Sequence, residues 1–196
     1  NFSNINISNY SSGIYINGGS NNILNNIISS YNLDYGIYLS GTNNNRLSNI
    51  ICYNNTQYGI YLSSALNNNL TNITSYNNNN YGILLASSYG NNISNSILYN
   101  NTRTDIIVSD TTNTHCNNIL TNITDNYGKY HLYSNQSVNI DGWTNLSSII
   151  LCNADNSSIK NLIYDGLTDK GIFITIVRTE YSNFSKENSN IKRKCL

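Results

Sequence analysis

The sequence predicts an all-β chain built as a single-stranded parallel β-helix, a solenoid of about eight coils. Three observations carry that prediction. A tetrapeptide returns every 23 residues as Gly13-Ile14-Tyr15-Ile16, Gly36-Ile37-Tyr38-Leu39, Gly59-Ile60-Tyr61-Leu62 and Gly82-Ile83-Leu84-Leu85. The intervening aliphatic residues and asparagines keep the same step, and helical periodicity is absent. A unit of this length holds three short strands and three turns but no core of its own, so the units must stack.

The chain opens inside a coil, since Phe2 and Ile5 match Leu24 and Ile27 of the next one. Within each repeat, Gly-Ile-Tyr-Leu alternates as a strand with one buried face should. Eleven residues beyond the glycine stand Leu24, Leu47, Leu70 and Ile93; fourteen beyond stand Ile27, Ile50 and Ile73, with Ser96 interrupting the column. Between them the asparagines Asn26, Asn49, Asn72, Asn95 and Asn118 are expected to turn the corner of a triangular coil and to form a structural ladder. Asparagine tolerates the left-handed backbone region such a corner needs, and its amide can bond its counterparts above and below. Further asparagine columns run through Asn22, Asn45, Asn68 and Asn91, and through Asn55, Asn78 and Asn101. An unpaired buried amide costs about 1–3 kcal/mol, so any inward column must run unbroken or be capped.

The same step reaches Asp105-Ile106-Ile107-Val108 and then Gly128, after which the register slips by about three residues. It is expected to resume at Ile149-Ile150-Leu151 and Gly171-Ile172-Phe173-Ile174. The β-helix is therefore assigned to 1–180. Residues 181–196, with Lys186, Lys192, Arg193 and Lys194, are assigned to a basic tail or cap over the open sheet edge. Eight coils at the ~4.8 Å strand spacing make a rod on the order of 40 Å long.

Zero net charge with 10% charged residues leaves no basic stripe for nucleic acid, and no apolar run reaches membrane-spanning length. Asparagine occurs 43 times against 6 lysines, an excess that AT-rich coding alone does not produce and that turns and ladders explain. The chain has no Met, so it is expected to be an internal or C-terminal piece of a longer protein. Of the four cysteines, Cys52 and Cys116 sit in columns that hold aliphatic or small residues elsewhere and read as buried apolar substitutes; Cys152 and Cys195 are the pair placed to meet near the end.

The stretch Asn67 to Leu85, Asn-Asn-Asn-Leu-Thr-Asn-Ile-Thr-Ser-Tyr-Asn-Asn-Asn-Asn-Tyr-Gly-Ile-Leu-Leu, resembles the repeats of right-handed parallel β-helices of the pectate-lyase-like superfamily, particularly the Asn-rich NosD-like and adhesin-like repeats. The resemblance covers residues 13 to about 110 well and 111 to 180 loosely. It implies a right-handed coil, and it leaves function open, because that superfamily holds polysaccharide lyases, hydrolases, epimerases, tailspikes, periplasmic copper-delivery proteins and surface proteins.

Two sets of residues are candidates for function. Tyr15, Tyr38, Tyr61 and, after Leu84 and Ile107, Tyr130 form an outward column on the face that commonly lines a sugar groove in such folds, so they are the candidate ligand-binding residues. Their plain structural role would be to stack on one another and cover the sheet. Arg103, Asp105, Asp125, Lys129 and His131 form the one concentration of chemistry-bearing residues, and Tyr127-Gly128-Lys129-Tyr130-His131 resembles the mannuronan epimerase motif Tyr-Gly-Phe-Asp-Pro-His, one residue short and without its Asp. Catalysis there would need Asp105, Asp125 and His131 to converge in a cleft; the reading preferred for the group is a surface salt-bridge cluster where the repeat degenerates, so no catalytic residue is assigned. With only His115 and His131 and no Met, no metal and no cofactor is expected. The favoured reading is a noncatalytic extracellular or cell-surface module, adhesin-like, that binds glycans or partner proteins. Polysaccharide-modifying fragment and NosD-like periplasmic accessory protein remain as alternatives.

Overall fold

The computed structural model describes residues 1–109, 112–163, 173–177, 183–184 and 192–195, which wind as a parallel β-solenoid of about seven turns, against the eight expected. The long sheet contains β1 (Phe2–Ser8), β3 (Ile23–Ser30), β5 (Arg46–Tyr53), β7 (Asn69–Tyr76), β9 (Asn92–Tyr99), β11 (Ile119–Thr124), β12 (Tyr130–Ser134), β14 (Leu146–Cys152), β16 (Phe173–Val177) and β18 (Lys192–Cys195), side by side in that order. A second sheet stacks β2 (Ser12–Asn17), β4 (Tyr35–Ser40), β6 (Tyr58–Ser63), β8 (Tyr81–Ala86) and β10 (Thr104–Ser109), and a short third joins β13 (Asn139–Asp141), β15 (Ser158–Lys160) and β17 (Asn183–Phe184). β17 and β18 fall within the segment assigned to a tail or cap, and each lies at the end of its sheet.

Every long-sheet strand of the regular coils is bent in the middle. Asn26, Asn49, Asn72 and Asn95 adopt φ of 54°, 55°, 56° and 50° and turn the strand through the expected corner, leaving Leu47 and Ile50 on either side pointing inward. Three more left-handed residues complete the coil, as in Gly41, Asn44 and Asn54 or Ser64, Asn67 and Asn77. The residue after each corner points inward: Thr42, Asn45, Ile50 and Asn55 are all fully or almost fully buried. The core is a column of Ile37, Ile60, Ile83 and Ile106 facing Leu24, Leu47, Leu70 and Ile93, closed by Leu39, Leu62, Leu85 and Val108.

Two asparagine ladders run inside this wall. Asn22, Asn45, Asn68, Asn91 and Asn118 form the first: each side-chain oxygen accepts both the backbone N–H and the amide N–H of the preceding coil's asparagine, at 2.8–3.1 Å. Asn118 ends it by donating to the carbonyls of Ser88 and His115. The second runs Asn32, Asn55, Asn78, Asn101 in the same geometry and ends on Asp105, whose Oδ1 accepts from Asn101 N at 3.1 Å and Nδ2 at 2.8 Å. The rule that an inward column runs unbroken or is capped is met in both.

The expected ladder therefore needs correction. Asn26, Asn49, Asn72 and Asn95 are exposed corner residues, linked in part by bonds such as Asn72 Nδ2 to Asn49 Oδ1 at 2.6 Å, and Asn118 belongs to the buried column instead. Asn122, with φ 52°, takes the corner after Asn95 and donates to it at 2.8 Å. The physical reason is an insertion: a single 3-10 turn at Asn113–Cys116 lengthens that coil, so its partners lie 27 residues apart.

The repeat glycines hold ordinary negative φ and are required by crowding. A Cβ on Gly59 would lie 2.0 Å from Ser75 Oγ and 2.6 Å from the Gly82 carbonyl of the next coil. Gly128 is different in kind. Its φ is 77°, and it lies in a turn where Asp125 N donates to the Lys129 carbonyl and Thr124 pairs antiparallel with Tyr130. That reversal sends β12 into the long sheet, so neither Gly128 nor Ile149-Ile150-Leu151 continues the Gly-Ile-Tyr-Leu strand; the latter lie in β14, also in the long sheet. Phe173 and Ile174 follow in β16, while Gly171 and Ile172 lie outside the described residues.

The cysteine pairing is also corrected: Cys116 bonds Cys152, with Cα atoms 5.3 Å apart, tying the inserted turn to β14. Cys52 is buried and free as expected, its thiol pushed up by burial alone. The Cys195 side chain lies outside the described residues. No helix among the described residues is long and apolar enough to cross a membrane.

Replacing Asn78 by Ala removes partners from Asn55, Asn101, Ser75 and the Cys52 carbonyl at once. It should cost about 3 kcal/mol or more in denaturant unfolding, whereas Asn49→Gly at the exposed corner should stay within about 1 kcal/mol. Gly59→Ala should prevent folding at ordinary temperature. Cys116→Ser should cost roughly 2–4 kcal/mol, read by the same denaturation measurement under oxidising conditions.

Candidate functional site

Strand alternation sends Tyr15, Tyr38 and Tyr61 outward from the second sheet, and parallel register sets them one above another. Their rings stack at 4.8 Å with interplanar angles of 11° and 5°. A second file lies beside it, Tyr35, Tyr58 and Tyr81, at 5.3 and 5.4 Å. Tilted contacts of 5.1–5.3 Å from Tyr35 to Tyr38 and Tyr61, and from Tyr58 to Tyr61, knit the two files together. Offset or tilted aromatic pairs contribute about 0.5–1.5 kcal/mol each beyond burial, so the face is a structural element as well as a surface. Tyr35, Tyr58 and Tyr81 stand immediately before the repeat glycines Gly36, Gly59 and Gly82, and their own 23-residue step is the signal in the sequence that could have marked them.

The geometry decides what this face can offer a ligand. Ring planes lie across the rod axis, so each ring covers its neighbour and only edges and hydroxyls meet solvent. Tyr15 at the end of its file is 54% exposed, while Tyr81 is buried against Leu84 and Ile107. Arg103 reaches back to donate to the Tyr81 hydroxyl at 3.5 Å. The hydroxyls of Tyr15, Tyr35, Tyr38, Tyr58 and Tyr61 make no hydrogen bond within the described residues. Burial among the rings, reinforced by the neighbouring phenols, raises Tyr35 and Tyr58, so their hydroxyls stay protonated donors.

A third file, Tyr53, Tyr76 and Tyr99, stacks at 5.1 and 5.0 Å along the long sheet. On the same sheet a shallow groove of about 320 Å³ is lined by Asn26, Asn49 and Asn72 on one side and floored by Ile28, Ile51 and Thr74.

Tyr130 does not belong to the predicted column. The reversal at Gly128 places it in the long sheet, where its backbone N–H donates to the Asn145 carbonyl at 2.9 Å, far in register from Tyr61.

The chemistry-bearing group is dispersed among separate tasks. Asp105 ends the second asparagine ladder, and its other oxygen stands 4.0 Å from His131 Nε2. His131 is buried, with Nδ1 2.8 Å from Ser148 Oγ and Nε2 3.1 Å from the Leu98 carbonyl. Asp125, also buried, accepts the backbone N–H of Tyr127 and Lys129, both at 2.9 Å, and so closes its own turn. Lys129 is buried in that turn, and Arg103 points to the tyrosines. Of the three residues that catalysis would need, Asp105 and His131 stand 4.0 Å apart with the His131 ring buried, while Asp125 is taken up by its own turn. Among the described residues no three His, Cys, Asp or Glu side chains gather as a metal site would require.

With this geometry in view, comparison with known proteins is informative about fold. A family model described as "Right handed beta helix region" matches residues 1–144. No curated protein matches the chain. Among solved structures, a pectate lyase, Pel9A, superposes with a TM-score of 0.53 at 13% identity over 94% of this chain and 56% of its own. The Agl-KA catalytic domain covers 99% of this chain and 47% of its own at 13% identity, with a TM-score of 0.42. The chain thus spans about half the length of either protein, and at this identity the likeness to Pel9A is one of fold alone.

The raised phenols make a stability prediction with a definite sign. Tyr35, Tyr58 and Tyr76 are raised first by burial, as is Tyr133, whose hydroxyl donates to the Cys116 carbonyl. The unfolded chain releases these protons first, near pH ~10, so the folded state is undiminished below that value and loses stability as pH rises beyond it. Melting temperature should hold to about pH 9.5 and fall between about 10 and 12, with tyrosinate absorbance appearing later in the folded than in the denatured protein.

Proposed function

As the chain belongs to the right-handed β-helix family, we propose that it serves as a noncatalytic binding module, adhesin-like and working outside the cytoplasm, that holds glycan chains along its strand faces. The observation that carries this reading is the paired tyrosine file with unpartnered hydroxyls repeated at 4.8 Å. A row of equivalent donors at fixed spacing suits a polymer of repeated hydroxyl groups, and many weak contacts along one rigid rod add up through effective concentration. Because the rings cover one another, recognition would run through phenol edges and hydroxyls, with the Asn26, Asn49 and Asn72 amides beside Ile28 and Ile51 offering a second, amphipathic track.

The disulfide between Cys116 and Cys152 supports an oxidising compartment, the cell surface or the extracellular space, with the periplasm as the alternative of the same redox character. A polysaccharide-modifying role is less well supported, since Asp105, Asp125 and His131 are each engaged in holding the fold.

Affinity electrophoresis against a panel of neutral and acidic polysaccharides tests the reading. Retardation by at least one polymer is expected, weakened about tenfold or more in a Tyr15→Ala, Tyr38→Ala, Tyr61→Ala variant. Full binding by that variant, with its circular dichroism unchanged, would remove the tyrosine face from the mechanism.

A further inference from the structure

A separate depression of about 200 Å³ opens where the repeat breaks down, between the β12 entry and the turn before β14. Leu120, Leu132 and Leu146 give it an apolar floor, and Tyr130 and Trp143 stand at its sides. Both aromatics are about half exposed, at 47% and 43%. They are held on fixed backbone. Tyr130 N–H donates to the Asn145 carbonyl at 2.9 Å, the Trp143 carbonyl accepts from Ile163 N at 3.1 Å, and Gly142 N donates to the Lys160 carbonyl at 3.2 Å. The backbone that carries both aromatics is therefore fixed before any ligand arrives, which limits the ordering cost of binding to their side chains.

The lining specifies a ligand class. The Tyr130 hydroxyl, the Trp143 indole N–H, the Thr144 hydroxyl and the Asn145 amide make no hydrogen bond within the described residues, and Asn122 Oδ1 is open beside them while its Nδ2 donates to Asn95. Two aromatic walls call for an apolar face; five polar groups at the rim call for a ligand with hydroxyls around its edge. Among the described residues no carboxylate, ammonium or guanidinium lines the pocket; His131 does line it, with both ring nitrogens engaged by Ser148 Oγ and the Leu98 carbonyl. The volume is below the ~300–1,000 Å³ of pockets that enclose drug-sized molecules, which leaves room for one ring.

From these features we infer that the pocket bounded by Tyr130, Trp143, Asn122 and Asn145 binds a single neutral pyranose, one unit or the end of a glycan chain. The inference rests on the glycan-binding reading for its ligand class and adds a discrete site outside the tyrosine files. The apolar face of the sugar lies against Trp143 and Tyr130, and the amides and hydroxyls of the rim take its ring hydroxyls.

Trp143 is the only tryptophan in the chain, so its fluorescence reports this pocket directly. The intact chain would be titrated with methyl glucoside, methyl galactoside, methyl mannoside and N-acetylglucosamine, with methyl galacturonide as the anionic control. A saturable change with a Kd on the order of millimolar for at least one neutral sugar is expected, about tenfold weaker in Tyr130→Ala and about tenfold weaker for the galacturonide. No saturation with any neutral sugar overturns the site, as does a response undiminished in folded Tyr130→Ala; equal binding of the galacturonide overturns its neutral selectivity. If Tyr130→Ala does not fold, Asn145→Gly, which removes the exposed amide and keeps the left-handed backbone (φ 58°), takes its place with the same expectation. Tyr15, Tyr38 and Tyr61 enter none of these readouts. Failure of the pocket thus leaves the long-face reading standing, and polymer retained by the triple tyrosine variant removes that reading without touching the pocket.

Discussion

The structure depends on the vertical hydrogen bonding of buried asparagines. A coil of 23 residues has too little apolar surface to order its own backbone, so each must borrow from its neighbours. Strand pairing supplies that along the sides, but the corners are where a solenoid would leave N–H groups buried without partners. Asn45, Asn68 and Asn91, with Asn55, Asn78 and Asn101, remove the difficulty, because one side-chain oxygen accepts two donors from the coil before. The arrangement is all or nothing along its length. It ends only where a different acceptor stands in: Asp105 for one ladder, the Ser88 and His115 carbonyls for the other.

The asparagine doublets show how sequence encodes this. In Asn44-Asn45, Asn54-Asn55, Asn67-Asn68 and Asn77-Asn78 the first residue takes the left-handed corner and the second turns its amide inward. Two physical properties of one residue type, tolerance of positive φ and a bifunctional amide, are used in adjacent positions. Period and aliphatic columns were legible because they depend on spacing alone. Which asparagine faced inward was not, since both members of a doublet repeat with the same step. The decision lies in backbone φ, and Tyr31 and Ser64 at corner positions show that the corner itself does not demand asparagine.

Past residue 109 the sequence misled for a definite reason. Strands of either sheet carry the same apolar alternation, so Ile149-Ile150-Leu151 read equally well as the Gly-Ile-Tyr-Leu strand or as its long-sheet neighbour. The 3-10 turn at Asn113–Cys116 and the reversal closed by Asp125 change which sheet comes next without altering that alternation. Tyr130, Asn118 and the Cys116–Cys152 pair were all misplaced by this one loss of count. The charged group at the end of the regular coils has an equally local explanation. Charged residues in a neutral, amide-rich chain attract a chemical reading, yet Asp105 and Asp125 are the acceptors that a ladder end and a tight turn require.

The same contrast between regular and irregular coils bears on recognition. Along the regular part every coil presents nearly the same outward residues, so a ligand lying on Tyr15, Tyr38 and Tyr61 gains the same contacts after sliding by one coil. On the proposed reading such a face would supply avidity and little register. Discrimination between one sugar and another needs groups that occur once and converge, and convergence requires a break in translation. The reversal at Gly128 provides it, bringing Tyr130 from one side and Trp143 from a backbone-anchored turn on the other around a single pocket. In a solenoid, then, repetition can hold a polymer and only the interruption can tell which one it is.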